Sequence, residues 1–461
     1  MNARAMIAED VRSSMKQLLL HGKVSELLHF AEEVHAAATE RGDAALAAEA
    51  THRRGQALFE LFQYEPAHAC FAEALAARSA LAGPRDLLAT QSAAWLASLA
   101  WTLDRAPEAL ALHRRALAAL PETPRDDERS VVADILRTLG VIERRSRGSE
   151  EALPLFRRAL ELLTQEPSGD ELEIAGTCIA LGMAEQSAKH EANAARLFER
   201  AHEIRTRILG EDHEYVAYTT HHLGALAMSR GDLEAGRAFI VRALEVLERA
   251  VGPDHPNVST ELLALGTIEV MMEQSARALP LFERAMALEE RFFGPTHPHL
   301  GATLVTVASI HAAEDRPAQA EPLWRRAVEL LAPVPETRAE LLLLSLNNLT
   351  VTLRAQGKDR EILAFAEPLL ERWDQDPRVP PQILTALWNS VSEVYYHEGK
   401  HTKAEKLLKR ALATATKRYG EEARELWPLL HNLVILLRDM GRRHEANDFA
   451  ERLAKMQGQR N

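Results

Sequence analysis

The sequence predicts an all-α solenoid of about ten to eleven stacked helix-turn-helix units, and three observations carry that prediction. Gly140, Gly182, Gly224 and Gly266 stand 42 residues apart, and the interval continues through Ala308, Thr350, Ser392 and Val434, while steps back of 43 and then 42 reach Ala97 and Gly55. A second series of mostly small residues keeps step with it: Ala67, Ala109, Ala152, Ala194, Gly236, Ala278, Ala320, Ile362, Ala404 and Ala446. Around both series the apolar residues recur at helical spacing. A period of about 20–50 residues marks an array in which each unit buries its apolar face only by stacking on its neighbours.

Each unit resolves into two helices, A and B. In Thr260–Glu290, Leu262, Leu265, Gly266 and Glu269 fall at i, i+3, i+4 and i+7, and Ala278, Leu281, Phe282 and Ala285 repeat that stripe. A glycine inside helix A costs about 1 kcal/mol relative to alanine, so four in register predict a partner helix passing too close for a β-carbon. Gly231, Gly357, Gly399 and Gly441 follow helix A at one offset, where a left-handed turn into helix B is expected. Between units, Gly210-Glu-Asp-His213, Gly252-Pro-Asp-His255-Pro256 and Gly294-Pro-Thr-His297-Pro298 lie 42 apart, with Gly420-Glu-Glu in the same register. This turn is expected to cap the next helix A, with Pro in the first helical turn and Asp or His meeting orphan amides. Pro121–Pro124, Gln165–Gly169, Pro333–Pro335 and Pro377–Pro381 read as connectors that interrupt helicity. Met6–Leu20 and Val24–Ala38 predict a degenerate first pair or cap within residues 1–42, leaving 43–461 to the array.

Composition narrows the function. The chain of 461 residues is 46% apolar and 26% charged, enough to bury a core. Its net charge of −12 argues against a phosphate-binding surface, so no nucleic-acid partner is expected. No stretch reaches the ~18 apolar residues of a membrane span, so no membrane partner is expected, and the N-terminal segment lacks the apolar core of a secretory signal, which makes the cytoplasm the expected location. Cys70 and Cys178 show no metal or disulfide spacing. His213, His255 and His297 come one per unit, about 10 Å or more apart by helix packing, too far to share an ion. Cys70 with His68, and the neighbours His221 and His222, belong to no nucleophilic or metal-binding motif, and no phosphate-cradling glycine loop occurs. The chain is therefore expected to be no enzyme and to need no cofactor or metal.

The repeat carries a family resemblance. Leu139-Gly140 with Ala152, Phe156 and Ala159, Leu181-Gly182 with Ala194, Phe198 and Ala201, Leu265-Gly266 with Ala278, Phe282 and Ala285, and Val307-Ala308 with Ala320, Trp324 and Ala327 resemble the tetratricopeptide repeat. The 42-residue unit, its inter-repeat turn, Leu346-Asn347-Asn348-Leu349 and Gln356-Gly357-Lys358 resemble the kinesin-light-chain type of that repeat, which bacterial proteins also use. The resemblance implies a right-handed superhelix whose A helices line a concave groove. Carried onto this chain, the groove slots fall on Arg53, Arg137, Arg144, Tyr218, His221, His222, Asn347, Asn348, Arg354, Asn389, His431 and Asn432, with His52, Met228, Tyr396 and Arg438 beside them. Asn both donates and accepts, so it suits the backbone of an extended peptide; the arginines suit acidic side chains or a carboxylate. Trp95 and Trp101 are either anchors for an apolar ligand or packing between repeats, with packing preferred. The implied function is a non-catalytic scaffold holding a peptide or helix of another protein; the alternative is a peptide- or ligand-responsive sensor acting in trans. Oligomeric state is not written in the sequence.

Overall fold

A computed structural model describes residues 8–458 except 84, 104, 166–168, 336–337 and 374–375. The expected helix start at Met6 and the Glu166–Ser168 part of one connector lie outside the described residues. Among those described there are 22 α-helices, two short 3-10 turns and no strand.

Along the chain the helices alternate A and B. The first pair is α1 (Ala8–Leu20) with α2 (Val24–Arg41). Then come α3 (Ala44–Glu60) with α4 (Tyr64–Ala82), α5 (Leu87–Thr102) with α6 (Ala106–Ala119), and α7 (Arg129–Ser146) with α8 (Ser149–Thr164). They continue as α9 (Glu171–Ser187) with α10 (Glu191–Leu209), α11 (Glu214–Ser229) with α12 (Leu233–Val251), and α13 (Pro256–Met271), which is followed by α14 (Ser275–Phe293). The last four pairs are α15 (Leu300–Ala313) with α16 (Pro317–Leu331), α17 (Ala339–Ala355) with α18 (Asp359–Trp373), α19 (Pro381–His397) with α20 (His401–Tyr419), and α21 (Trp427–Asp439) with α22 (Arg443–Gly458). Every member of the glycine series lies in an A helix, and every member of the alanine series in a B helix.

The close crossing has a definite partner. A β-carbon on Gly140 would stand 2.7 Å from the Phe156 ring, one on Gly182 2.5 Å from Phe198, one on Gly55 2.9 Å from Phe71, and one on Gly224 2.9 Å from Ile240. In each case the large residue lies sixteen positions on. Where the A position is instead Thr350 or Val434, the residue sixteen on is Ala366 or Ala450, so volume moves from one helix to the other while the density of the layer is kept.

The A–B turns use the left-handed region whether or not glycine is present. Gly231, Gly357, Gly399 and Gly441 have φ of 80°, 70°, 72° and 75°, as expected, but Phe62, Lys189, Glu273 and Asp315 occupy the same slot at 60°, 66°, 61° and 56°. Between units, the His213 ring accepts the Tyr215 amide at 3.1 Å and the His255 ring accepts the Asn257 amide at 3.3 Å, which caps α11 and α13 as the inter-repeat turn predicted. Gly83 takes the same backbone geometry as Gly210, with φ of 94° against 88°, at a boundary the histidine signature does not mark.

The chain divides into two compact units, Met1–Met272 and Glu273–Asn461, with the division in the left-handed turn between α13 and α14. The first unit carries several modest apolar clusters, one of them joining α7 to α11 through Val132, Leu136, Cys178, Phe198 and Leu226. The second is built on one larger cluster running from Leu300 to Met456 and including Trp324, Trp373 and Trp388. Among the described residues no helix is long and apolar enough to cross a membrane.

Candidate partner-binding surface

Within each unit the A helices follow one another as a layer, tied laterally by polar side chains one repeat apart. In the first unit Gln91 donates to Asp134 at 2.8 Å, Trp95 donates to the same carboxylate at 3.1 Å, Ser130 donates to Glu173 at 2.9 Å, and His221 meets Glu261 at 3.0 Å. In the second, Arg354 pairs with Glu393 at 2.6 Å, Asn432 donates to Asn389 at 2.9 Å, and Tyr396 donates to Asp439. Separations of 39 to 43 residues make this a ladder that repeats with the sequence period. A second set of bonds ties three A helices to the B helix before them from the slot three after the small residue: Glu185 to Arg157 at 2.8 Å, Glu269 to Arg237 at 2.7 Å, and Tyr395 to Glu367. Neither set is legible from hydropathy, because polar slots on a helix carry no phase of their own.

The ladder decides what the expected binding residues are free to do. His221, Arg354, Asn389 and Asn432 already serve as lateral ties. Arg53 is committed to Glu49 on its own helix at 2.8 Å and to Gln56 at 2.9 Å. Arg137 bonds Asp134 at 2.6 Å. His222 requires correction: it is only 7% exposed, stacked on Phe198 with ring centroids 5.2 Å apart and edge-on to Tyr218 at 4.7 Å, so it belongs to the packing layer and not to the open face. Burial, followed by the neighbouring His221, drives its pKa down to about 3, so its ring is neutral at physiological pH. His52 is likewise buried, against Phe71. Trp95 stacks on Phe71 at 5.5 Å, in keeping with the packing role.

What stays open differs between the units. In the first, Tyr218 keeps 48% of its surface, and Glu60 is exposed as well. Yet desolvation raises the pKa of both groups, the Glu214 carboxylate raises that of Glu60 further, and Arg137 opposes it. Exposure together with desolvation describes side chains that open onto a narrow, protein-walled space. Desolvation also lowers the Arg144 pKa, with Arg145 adding like-charge repulsion. In the second unit the open face is apolar and amide-lined. Leu344, Asn347 and Val351 fall at i, i+3 and i+7 on α17, Leu344 being 44% and Val351 65% exposed, with Asn348 alongside. On α21, Ile435 (38% exposed) stands beside exposed His431 and the Asn432–Asn389 pair. Val351 and Ile435 occupy the same slot of their repeats, one after the small residue.

A tetratricopeptide repeat family model matches residues 86–165, 215–291 and 382–458, and a second model of the same description matches 174–215. The chain is a tetratricopeptide repeat protein. Its repeats resemble the kinesin-light-chain subtype. No curated protein matches this tetratricopeptide repeat protein by sequence. Among solved structures, a Rap protein complexed with Competence and Sporulation Factor is 14% identical, with 89% of this chain and 98% of that one covered at a TM-score of 0.51. A signal-transduction ATPase with a tetratricopeptide repeat sensor, from Pyrococcus horikoshii, is 14% identical, with 80% of this chain and 54% of that one covered at 0.51. Kinesin light chain repeats from Podosopora anserina are 16% identical over 45% of this chain and 97% of theirs at 0.38, too loose a superposition to bear on the fold. At these identities the likeness is one of fold. The repeat family makes this tetratricopeptide repeat protein an interaction scaffold whose partners are proteins.

Proposed function

We propose that the helix-A face of the second unit holds an extended segment of another protein, with apolar side chains of that segment against Leu344, Val351 and Ile435 and its backbone against the asparagines. The observation that carries the reading is the row Leu344, Asn347, Val351 on α17. An apolar stripe left in water on a helix whose other side is fully packed is a surface awaiting cover, and the amides beside it donate and accept as a peptide backbone requires. Asn347 and Asn348 are the first candidates for that clamp. Asn389 and Asn432 hold each other at 2.9 Å and present the remaining amide hydrogens and lone pairs.

The test is site-specific photocrosslinking in the native cell. A photoreactive residue at Val351 is expected to capture a discrete protein, and the same residue at exposed Lys406 on α20 is not. Changing Asn347 and Asn348 together to alanine should reduce capture about tenfold or more, while thermal stability holds because both side chains lie on the open face. Equal labelling from both positions, or capture that survives the double change, overturns the reading.

A further inference from the structure

The first unit closes on itself. The carboxyl end of α1 and the turn after it lie against the amino ends of three A helices that are distant in sequence. The Lys16 ammonium pairs with Glu173 at 2.8 Å and donates to the Ser130 hydroxyl at 3.0 Å. Gln17 donates to Asp170 at 2.9 Å, on the carboxylate that caps α9. The His213 ring, which caps α11 through one nitrogen, donates through the other to the His21 carbonyl at 3.0 Å, and Tyr215 donates to the Leu19 carbonyl at 3.4 Å. These contacts join residues 114 to 196 positions apart. Gly22 fits there because it lacks a side chain: a β-carbon would stand 2.8 Å from the Glu214 carboxylate, and its φ of 69° already favours glycine. The Leu19 and His21 carbonyls at the end of α1 thus face the partly positive amino end of α11, the orientation that helix dipoles favour.

The two sides of α1 differ in kind. Its apolar side, Val11 and Met15, is fully buried with Leu27, Phe30, Val34 and Leu46 in a cluster that extends no further than Ala57 among the described residues. The contacts named across the closure are hydrogen bonds and one ion pair. Polar contacts trade with water at small net cost, whereas the apolar cluster loses its burial if it opens. The weak joint of the unit is therefore the seam between α1 and the ends of α7, α9 and α11, and not the packing of α1 on α2 and α3.

We propose that this seam is a clasp. It opens with α1–α3 still folded, and its closed state narrows the space onto which Arg137, Arg144 and Tyr218 of the first unit's helix-A face open; a partner segment reaches that face more readily once the clasp is open. The clasp is independent of the reading given for the second unit.

The test uses the full chain and no ligand. Lys16→Glu places like charge beside Glu173, and Lys16→Glu with Glu173→Lys restores the opposite pair. By hydrogen exchange, Lys16→Glu should speed residues 14–22 and 211–217 about tenfold or more, leave 24–57 at wild-type rates, and be reversed by the double change. Spin labels at exposed Arg12 and Glu211 should report a longer, broader distance in Lys16→Glu alone; the native thiols, Cys70 and Cys178, are buried and spare the labelling. Three results overturn the clasp: unchanged exchange in Lys16→Glu, acceleration that spreads through 24–57 so that α1–α3 melt as one end cap, or a double change that fails to restore closure.

Discussion

At the scale of single residues, chain chemistry and environment pull the same histidine two ways. His222 sits in a groove slot by sequence position, yet the helix turns it onto Phe198, and burial holds its pKa at about 3. The unfolded chain gains that proton near 6.5, the ordinary value. Above about 6.5 the ring is neutral in both states and has no effect on the pH dependence. Between 6.5 and 3 the unfolded state binds a proton that the folded state refuses, so the first unit loses about 1.4 kcal/mol from this group for each pH unit of acidification. His222→Phe should flatten this part of the curve, seen as denaturant midpoints of the first unit at pH 7 and pH 5 that draw together; an unchanged slope would refute the assignment. The left-handed turns make a second residue-scale point. The glycines at 231, 357, 399 and 441 announced them, but Phe62, Lys189, Glu273 and Asp315 hold the same conformation with a β-carbon, because the flanking helices impose it. A turn dictated by its neighbours leaves no composition signal.

At the scale of helices, the 42-residue period is a statement about volume. Gly182 and Gly176 lie on the same helix, but only Gly182 belongs to the 42-residue series, and the packing follows that distinction. A β-carbon at 182 would lie 2.5 Å from Phe198, whereas one at 176 would meet nothing within 4 Å. Gly176→Ala should therefore stabilise by up to about 1 kcal/mol through helix propensity. Gly182→Ala should destabilise by about 1–3 kcal/mol because overpacking outweighs that gain, and Phe198→Leu in the same chain should recover part of the loss. Chemical denaturation of the variants checks the sign, and a stabilising Gly182→Ala would contradict the close crossing. The lateral ladder belongs to this scale too. Gln91 to Asp134 and Asn432 to Asn389 recur with the period, but only because successive A helices lie side by side within a unit.

At the scale of the whole molecule, stability in a repeat array is local, since each pair contacts mainly its neighbours. Trp373 is buried in the single large cluster of the second unit. Trp373→Ala should cost about 3–5 kcal/mol there and speed hydrogen exchange in α17 to α20, with α3 to α12 unaffected; acceleration throughout the chain would mean one cooperative block. The sequence by itself determined the helices, their alternation, the close crossings at Gly140, Gly182 and Gly224 and the histidine caps of α11 and α13, because each is a short-range consequence of a pattern that repeats and reinforces itself. Tertiary structure alone decided which polar slots stay open, that His222 turns inward, and that the end of α1 meets α7, α9 and α11. Those outcomes follow from small rotations accumulated over successive repeats, which bring Lys16 to Glu173 and His21 to His213 across more than a hundred residues. No periodic signal encodes such a meeting, since each of its residues occurs once.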